Sequence, residues 1–193
     1  MVMTPSQMLE LGTPLPEFTL ADPDGNEHTP ATVAKDAKGT LVVFMCNHCP
    51  FVKHVREELA KLGRDCKEQG VAMFGINSND YDTYPDDSPA RMKDEAETFG
   101  YVFPYLVDAE QSVAKRFRAA CTPDFFLFDG DGKLAYRGQL DGSRPSNDVP
   151  VTGEDLRAAI DAVVGGKAVS GEQTPSIGCN IKWRAGNAPE WFG

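Results

Sequence analysis

Two cysteines with two residues between them, Cys46 and Cys49, carry the most specific chemistry in this chain. They lie in Leu41-Val42-Val43-Phe44-Met45-Cys46-Asn47-His48-Cys49-Pro50-Phe51-Val52-Lys53-His54. Five apolar residues run straight into the pair, a run short and rich in Val and Phe as a buried strand is. Pro50 suits the first position of a helix, where its missing N–H has no partner to lose. The spacing therefore places two thiols at the turn from a buried strand into a helix. A helix N-terminus carries about half a positive charge and free N–H groups. That favours the thiolate, the form that attacks a disulfide. A second chemistry competes. Cys46, His48, Cys49 and His54 are four soft ligands in nine residues and could hold zinc. Two cysteines within one helical turn leave poor tetrahedral geometry with His54, so redox chemistry ranks first and a metal-binding, non-catalytic module is the alternative of another class.

Composition narrows the partners. The 193 residues are 41% hydrophobic and 25% charged, as in an ordinary globular protein. A net charge of −10 makes nucleic-acid backbones and anionic membranes poor partners. No apolar run approaches the ~20 residues that span a bilayer. Met1-Val2-Met3-Thr4-Pro5-Ser6 has neither a basic cluster nor an apolar segment, so the expected compartment is the cytoplasm. There, closely paired cysteines are catalytic or metal-binding more often than structural.

The elements that must position the pair can be read around it. Residues 1–17 read as an irregular lead-in, followed by short strands at Phe18-Thr19-Leu20 and Glu27-His28-Thr29 about an Asp22-Pro23-Asp24-Gly25 turn. Thr29-Pro30 opens a short helical turn. After Pro50, Val52, Val55, Leu59, Leu62 and Cys66 recur at spacings of three and four, predicting a helix from Pro50 to Gln69 stopped by Gly70. Val71–Ile76 is a second buried strand. Asn77–Ser88 is polar, acidic and long for a loop, the kind that is functional or mobile. Helices follow at 89–99, from a cap at Asp108 to near Arg118, and from a capping box at Thr152 and Asp155 through Val163. Between them come a strand at 105–107 and a hairpin of 125–128 with 134–136. Asp129-Gly130-Asp131-Gly132, which lacks the downstream acidic ligand of a calcium loop, is its turn. Residues 165–193 read as an irregular tail laid over the core by Trp183, Trp191 and Phe192. The order predicts an α/β fold, one domain over residues 1–193, with a mixed sheet flanked by helices.

Three features together resemble the thioredoxin superfamily, in its peroxiredoxin-like branch, the alkyl hydroperoxide reductase/thiol-specific antioxidant group. They are Phe44–Pro50 at the strand-to-helix turn, Thr122-Pro123 before the apolar strand 125–128, and Gly12-x-x-Leu15-Pro16-Glu17-Phe18-Thr19-Leu20 with Asp24-Gly25 after it. The resemblance covers about residues 12–164. It implies a thioredoxin-like fold with an N-terminal hairpin extension, and a cis bond at Pro123 facing the cysteines. It also implies no cofactor beyond a redox-active disulfide. Two peroxidase features are absent. Cys46 stands where true peroxiredoxins carry a Thr, and Thr122-Pro123 where they carry an activating Arg. Transition-state donors are what peroxide cleavage needs. Thiol–disulfide oxidoreduction with protein or small-molecule thiols therefore ranks above hydroperoxide reduction at Cys49.

In that reading Cys46 is the nucleophile at the exposed edge of the turn and Cys49 the resolving thiol. His48, Pro50, Thr122 and Pro123 support them, His48 as a cation beside the thiolate. Cys66 completes an apolar helix face, and Cys121 reads as a small packed residue. Cys179, in the tail, reads as a packed or surface thiol, with a third redox thiol as its sharper alternative.

Overall fold

A computed structural model describes residues 3–192. The strand read before the cysteines, β4 (Gly39–Phe44), is buried at every position and lies at the middle of a seven-stranded sheet. It pairs in parallel with β5 (Val71–Asn77) and antiparallel with β8 (Asp124–Asp129). Beyond β5 come β6 (Tyr105–Val107) and the N-terminal hairpin β2 (Leu20–Ala21) and β3 (Glu27–His28). Beyond β8 comes β9 (Leu134–Tyr136). This is the mixed sheet with helices on both faces that the element order predicts.

The alternation of side chains along β4 divides the core. Leu41 and Val43 face one cluster, with the helix α2 (Pro50–Gln69) and the last helix α5 (Glu154–Val164). Val42 and Phe44 face a second, aromatic cluster containing Phe74, Phe117, Phe126 and Phe128. Val52, Val55, Leu59, Leu62 and Cys66 of α2 are all buried, each contributing on the order of 2 kcal/mol. Gly70 ends α2 at φ +79°, a left-handed position that favours glycine. The short helix α1 (Pro30–Val33) has its expected cap at Thr29, whose hydroxyl accepts from the Thr32 N–H. The helix α3 (Pro89–Phe99) begins at Ser88-Pro89 as read.

Four local expectations need correction. The lead-in contains β1 (Met3–Pro5), and the tail is not irregular throughout: it contains β10 (Ile177–Asn180). With β7 (Cys121–Thr122) these form a separate sheet in the order β1-β10-β7. The helix α4 (Ser112–Phe117) starts after Gln111, yet Asp108 still holds its first turn, accepting from the N–H groups of Val113 and Ala114 at 3.3 and 3.0 Å. The fifth helix is capped by Gly153, not by Thr152. The carboxylate of Asp141, from outside the helix, takes the N–H groups of Thr152 and Gly153. Trp183, Trp191 and Phe192 do pack together at 5.7–6.3 Å between rings, with Trp183 against the aromatic cluster.

Candidate active site

The chain leaves β4 with Met45 N–H still donating to Ile76 O at 2.9 Å, then turns through Cys46–Cys49. Cys49 is the N-cap of α2 and Pro50 its first helical residue. On the other side, β7 ends at Thr122 and a cis peptide bond leads to Pro123. The two turns meet. Cys46 Sγ lies 3.4 Å from Thr122 Oγ1, and Cys49 Sγ donates to Thr122 O at 3.2 Å. Pro50, Thr122 and Pro123 are thus placed beside the thiols. Cys46 is not at an exposed edge, however: it is 1% exposed and Cys49 is 0%. Both sulfurs are roofed.

The roof over Cys46 is the segment 77–88. Its last turn, the 3-10 turn Pro85–Asp87, carries a fully buried carboxylate. Asp87 accepts from Asn47 N–H at 2.8 Å, His48 N–H at 3.3 Å, Asn79 Nδ2 at 2.8 Å and His48 Nδ1 at 2.5 Å. Burial alone raises a carboxyl. Here the hydrogen bonds from His48, Asn79 and Asn47 outweigh it and hold Asp87 below the usual range. Asn47 is fixed again by Asp86 O and the Tyr105 hydroxyl. The His48 ring stacks on Tyr84, 5.3 Å between centroids and 10° from parallel, and is 22% exposed. His48 is therefore a paired, oriented ring, held at Nδ1 by Asp87 and on one face by Tyr84.

The two thiols differ in their surroundings. Burial pushes Cys46 well up, and hydrogen bonding to Cys49 and the Asp87 charge push the same way. Hydrogen bonding from Cys46 brings Cys49 down to about 5 against its burial, helped by Cys179 and the backbone N–H groups of Val52 and Cys179. The Val52 amide approaches the sulfur without closing a capping bond of normal length. These four donors outweigh the burial. The pair therefore releases its first proton easily and retains its second.

His54, counted above among possible zinc ligands, is not in this cluster. Its Nε2 is buried without a partner, beside Ser143 and Arg144. Among the described residues, the ligand atoms that converge are those of Cys46, His48 and Asp87, within 4.8 Å of one another. A cation there would have to displace the proton shared by His48 and Asp87. Cys66 lies in the α2 core face, and Cys121 donates to Pro123 O at 3.6 Å. Cys179 lies next to Cys49, 5% exposed. The residues that sequence reasoning did not assign are Asp87, Asn47, Asn79 and Tyr84. The available signal was an acidic residue ending a long polar loop.

A dithiol at a helix start, facing a cis-proline turn on a mixed sheet, defines the class: a thioredoxin-like oxidoreductase. Residues 11–137 match the AhpC/TSA family, and the chain belongs to that family. It is 54% identical to an uncharacterized conserved protein of Geobacillus kaustophilus whose crystal structure superposes with a TM-score of 0.92, over 95% of this chain and 97% of that one. A hypothetical protein of Sinorhizobium meliloti 1021 is 52% identical, with a TM-score of 0.93 over 95% and 100% of the two chains. The thiol-disulfide oxidoreductase ResA of Geobacillus thermodenitrificans is 24% identical over 131 residues, 68% of this chain and 70% of that protein.

Proposed function

We propose that this protein passes electrons between substrate thiols or disulfides and the Cys46/Cys49 pair. The observation that carries this is the meeting of both sulfurs at Thr122, with Cys49 brought to about 5 by its donors. Substrate enters from the Cys46 side, because two partly exposed rings, His48 and Tyr84, lie over that side, whereas a paired strand lies over Cys49. Cys46 attacks one sulfur of the substrate disulfide and its proton passes to the Cys49 thiolate. The other substrate sulfur leaves as a thiolate and takes a proton through the His48 imidazole. Cys49 then loses its proton to solvent and attacks Cys46, expelling the second substrate thiolate. Two substrate thiols and a Cys46–Cys49 disulfide result.

The test is reduction of insulin disulfides by dithiothreitol-charged protein. Cys46→Ser and Cys49→Ser are each expected to lose on the order of 10³-fold or more. Cys49→Ser should also trap a mixed disulfide on Cys46. Full activity in either variant would overturn the proposal.

The low-lying Cys49 thiol, followed by Pro50, favours one second reading. Its thiolate attacks a hydroperoxide, giving Cys49–SOH and an alcohol, and Cys46–SH condenses with it, releasing water. That reading requires the first turnover of hydroperoxide to survive Cys46→Ser.

A further inference from the structure

Cys49 has two sulfur neighbours. One is Cys46, in its own turn. The other is Cys179, which stands in the strand Ile177–Asn180 and lies near enough that each thiol shifts the acidity of the other. Backbone pairing brings Cys179 there. The strand β10 runs antiparallel to β7 with Cys179 opposite Thr122, the residue whose carbonyl accepts from Cys49 Sγ. On its other edge β10 pairs with β1, Met3 opposite Cys179. It also packs on α2, the helix that Cys49 caps. Ser176 Oγ donates to Pro123 O at 2.7 Å, tying the approach to β10 onto the cis-proline turn. Gly178 admits the strand: a Cβ there would lie 1.9 Å from Thr122 O. The thiol of Cys179 is held against the redox pair from both edges of its strand, and Cys46, Cys49 and Cys179 belong to one buried cluster.

We propose that Cys179 is a third redox thiol, which exchanges into the Cys46–Cys49 disulfide. Its sulfur attacks Cys49 Sγ, the Cys49–Cys179 bond forms, and the Cys46–Cys49 bond breaks. One disulfide and one thiol enter, and one disulfide and one thiol leave, so no outside oxidant is consumed. Cys179 gives up a proton, and Cys46 regains one from solvent or from the His48 imidazole, one of whose ring nitrogens lies within 4.8 Å of its sulfur. The sulfur contact has to close to about 2.05 Å. This step rests on the exchange reading above, because it starts from the disulfide made there.

Burial, then hydrogen bonding to Cys49 and the Cys49 charge, push the reduced Cys179 thiol up to about 12. The contributions from Cys49 vanish once Cys49 is in a disulfide, while Lys182 continues to favour the thiolate. A thiol near 12 is about 10⁻⁵ thiolate at pH 7. Groups held side by side react with effective molarities on the order of 10⁵ M and above. The second factor offsets the first. The exchange returns Cys46 to a free thiol beside His48 and stores the oxidised bond under β10, out of reach of substrate.

The experiment is disulfide mapping of the full chain by mass spectrometry after one equivalent of diamide and acid quenching. Wild type is expected to yield both Cys46–Cys49 and Cys49–Cys179 bridged peptides. Cys46→Ser retains four of the five cysteines and is expected to fall from four titratable thiols to two, with the Cys49–Cys179 bridge recovered. Cys179→Ala should yield the Cys46–Cys49 bridge alone. The proposal is overturned if wild type yields only Cys46–Cys49, and equally if folded Cys46→Ser keeps four thiols. A wild type that forms no bridge and does not reduce insulin overturns the exchange reading instead.

Discussion

Cys46 and Cys49 stand one helical turn apart, yet the protein surrounds them in opposite ways. Cys46 faces a loop that brings a buried carboxylate, Asp87. Cys49 faces a strand that brings a thiol and an amide. Burial and the bond to Cys49 hold a proton on Cys46, with the loop charge adding to them; the bond from Cys46 draws one off Cys49, with the strand donors adding to it. The difference shows that the helix N-terminus does not by itself decide which thiol ionises. Its field reaches both residues, while burial of Cys46 and the hydrogen bond it gives Cys49 separate them first, with Asp87 and Cys179, 41 and 130 positions away, adding to the difference.

The strand side breaks most easily at Gly178. A Gly178→Ala methyl would sit 1.9 Å from Thr122 O, against main-chain atoms only, and nothing flexible can give way. Loss of about 3 kcal/mol is expected in denaturant unfolding. The displaced β10 would also withdraw the Cys179 thiol and amide from Cys49. The thiolate absorbance of Cys49 should then titrate upward from about 5. An unchanged titration with Gly178→Ala folded would show that the strand does not set the acidity of Cys49.

How much of this was legible beforehand follows the range of the interactions. The helix from Pro50 to Gln69 could be read end to end, because its signals are local: Pro50 at the start, apolar residues at spacings of three and four, Gly70 at the stop. The cysteine pair and Thr122-Pro123 were legible for the same reason, each being a short pattern. Asp87 was not. Its partners Asn47 and His48 lie about 40 residues away, and nothing in Asp86-Asp87-Ser88 says which of the two carboxylates turns inward. The strand Ile177–Asn180 was missed because Ile-Gly-Cys-Asn has neither alternation nor β-branched enrichment; it forms through its pairing with β1 and β7. Burial of Cys46 was missed because exposure was inferred from its place at the helix tip, and the roof comes from elsewhere in the chain.

The loop side is tested by Asp87→Asn. The amide keeps a carbonyl acceptor but loses the charge that His48 Nδ1 and two backbone amides share. A loss of about 2 kcal/mol is expected at pH 7. The sign with pH follows from the direction of the shift. Asp87 is held below the unfolded carboxyl value near 3.9, so its contribution is present above that pH and lost as pH falls through the folded value. Wild type should therefore lose its advantage over Asp87→Asn on acidification, read from melting curves at pH 7 and below 4. Removing the neighbouring charge should also bring the Cys46 thiol down, narrowing the gap between the two sulfurs. If Cys46 titrates as before, the Asp87 charge does not reach it.

The smallest effect expected is at Tyr84, and it separates orientation from charge on the loop side. Tyr84 stacks on His48 but accepts none of its hydrogen bonds, while Asp87 holds the His48 Nδ1 directly. Tyr84→Ala removes a face-to-face partner worth on the order of 1 kcal/mol and uncovers the ring. Tyr84→Phe keeps the stack. If Asp87 alone orients the imidazole, both variants should reduce insulin at close to the wild-type rate, with only Tyr84→Ala showing a small drop in melting temperature. A large fall in rate for Tyr84→Ala, restored in Tyr84→Phe, would mean that the ring stack, rather than the carboxylate, sets the histidine over Cys46. The loop would then act on that sulfur through packing more than through its charge.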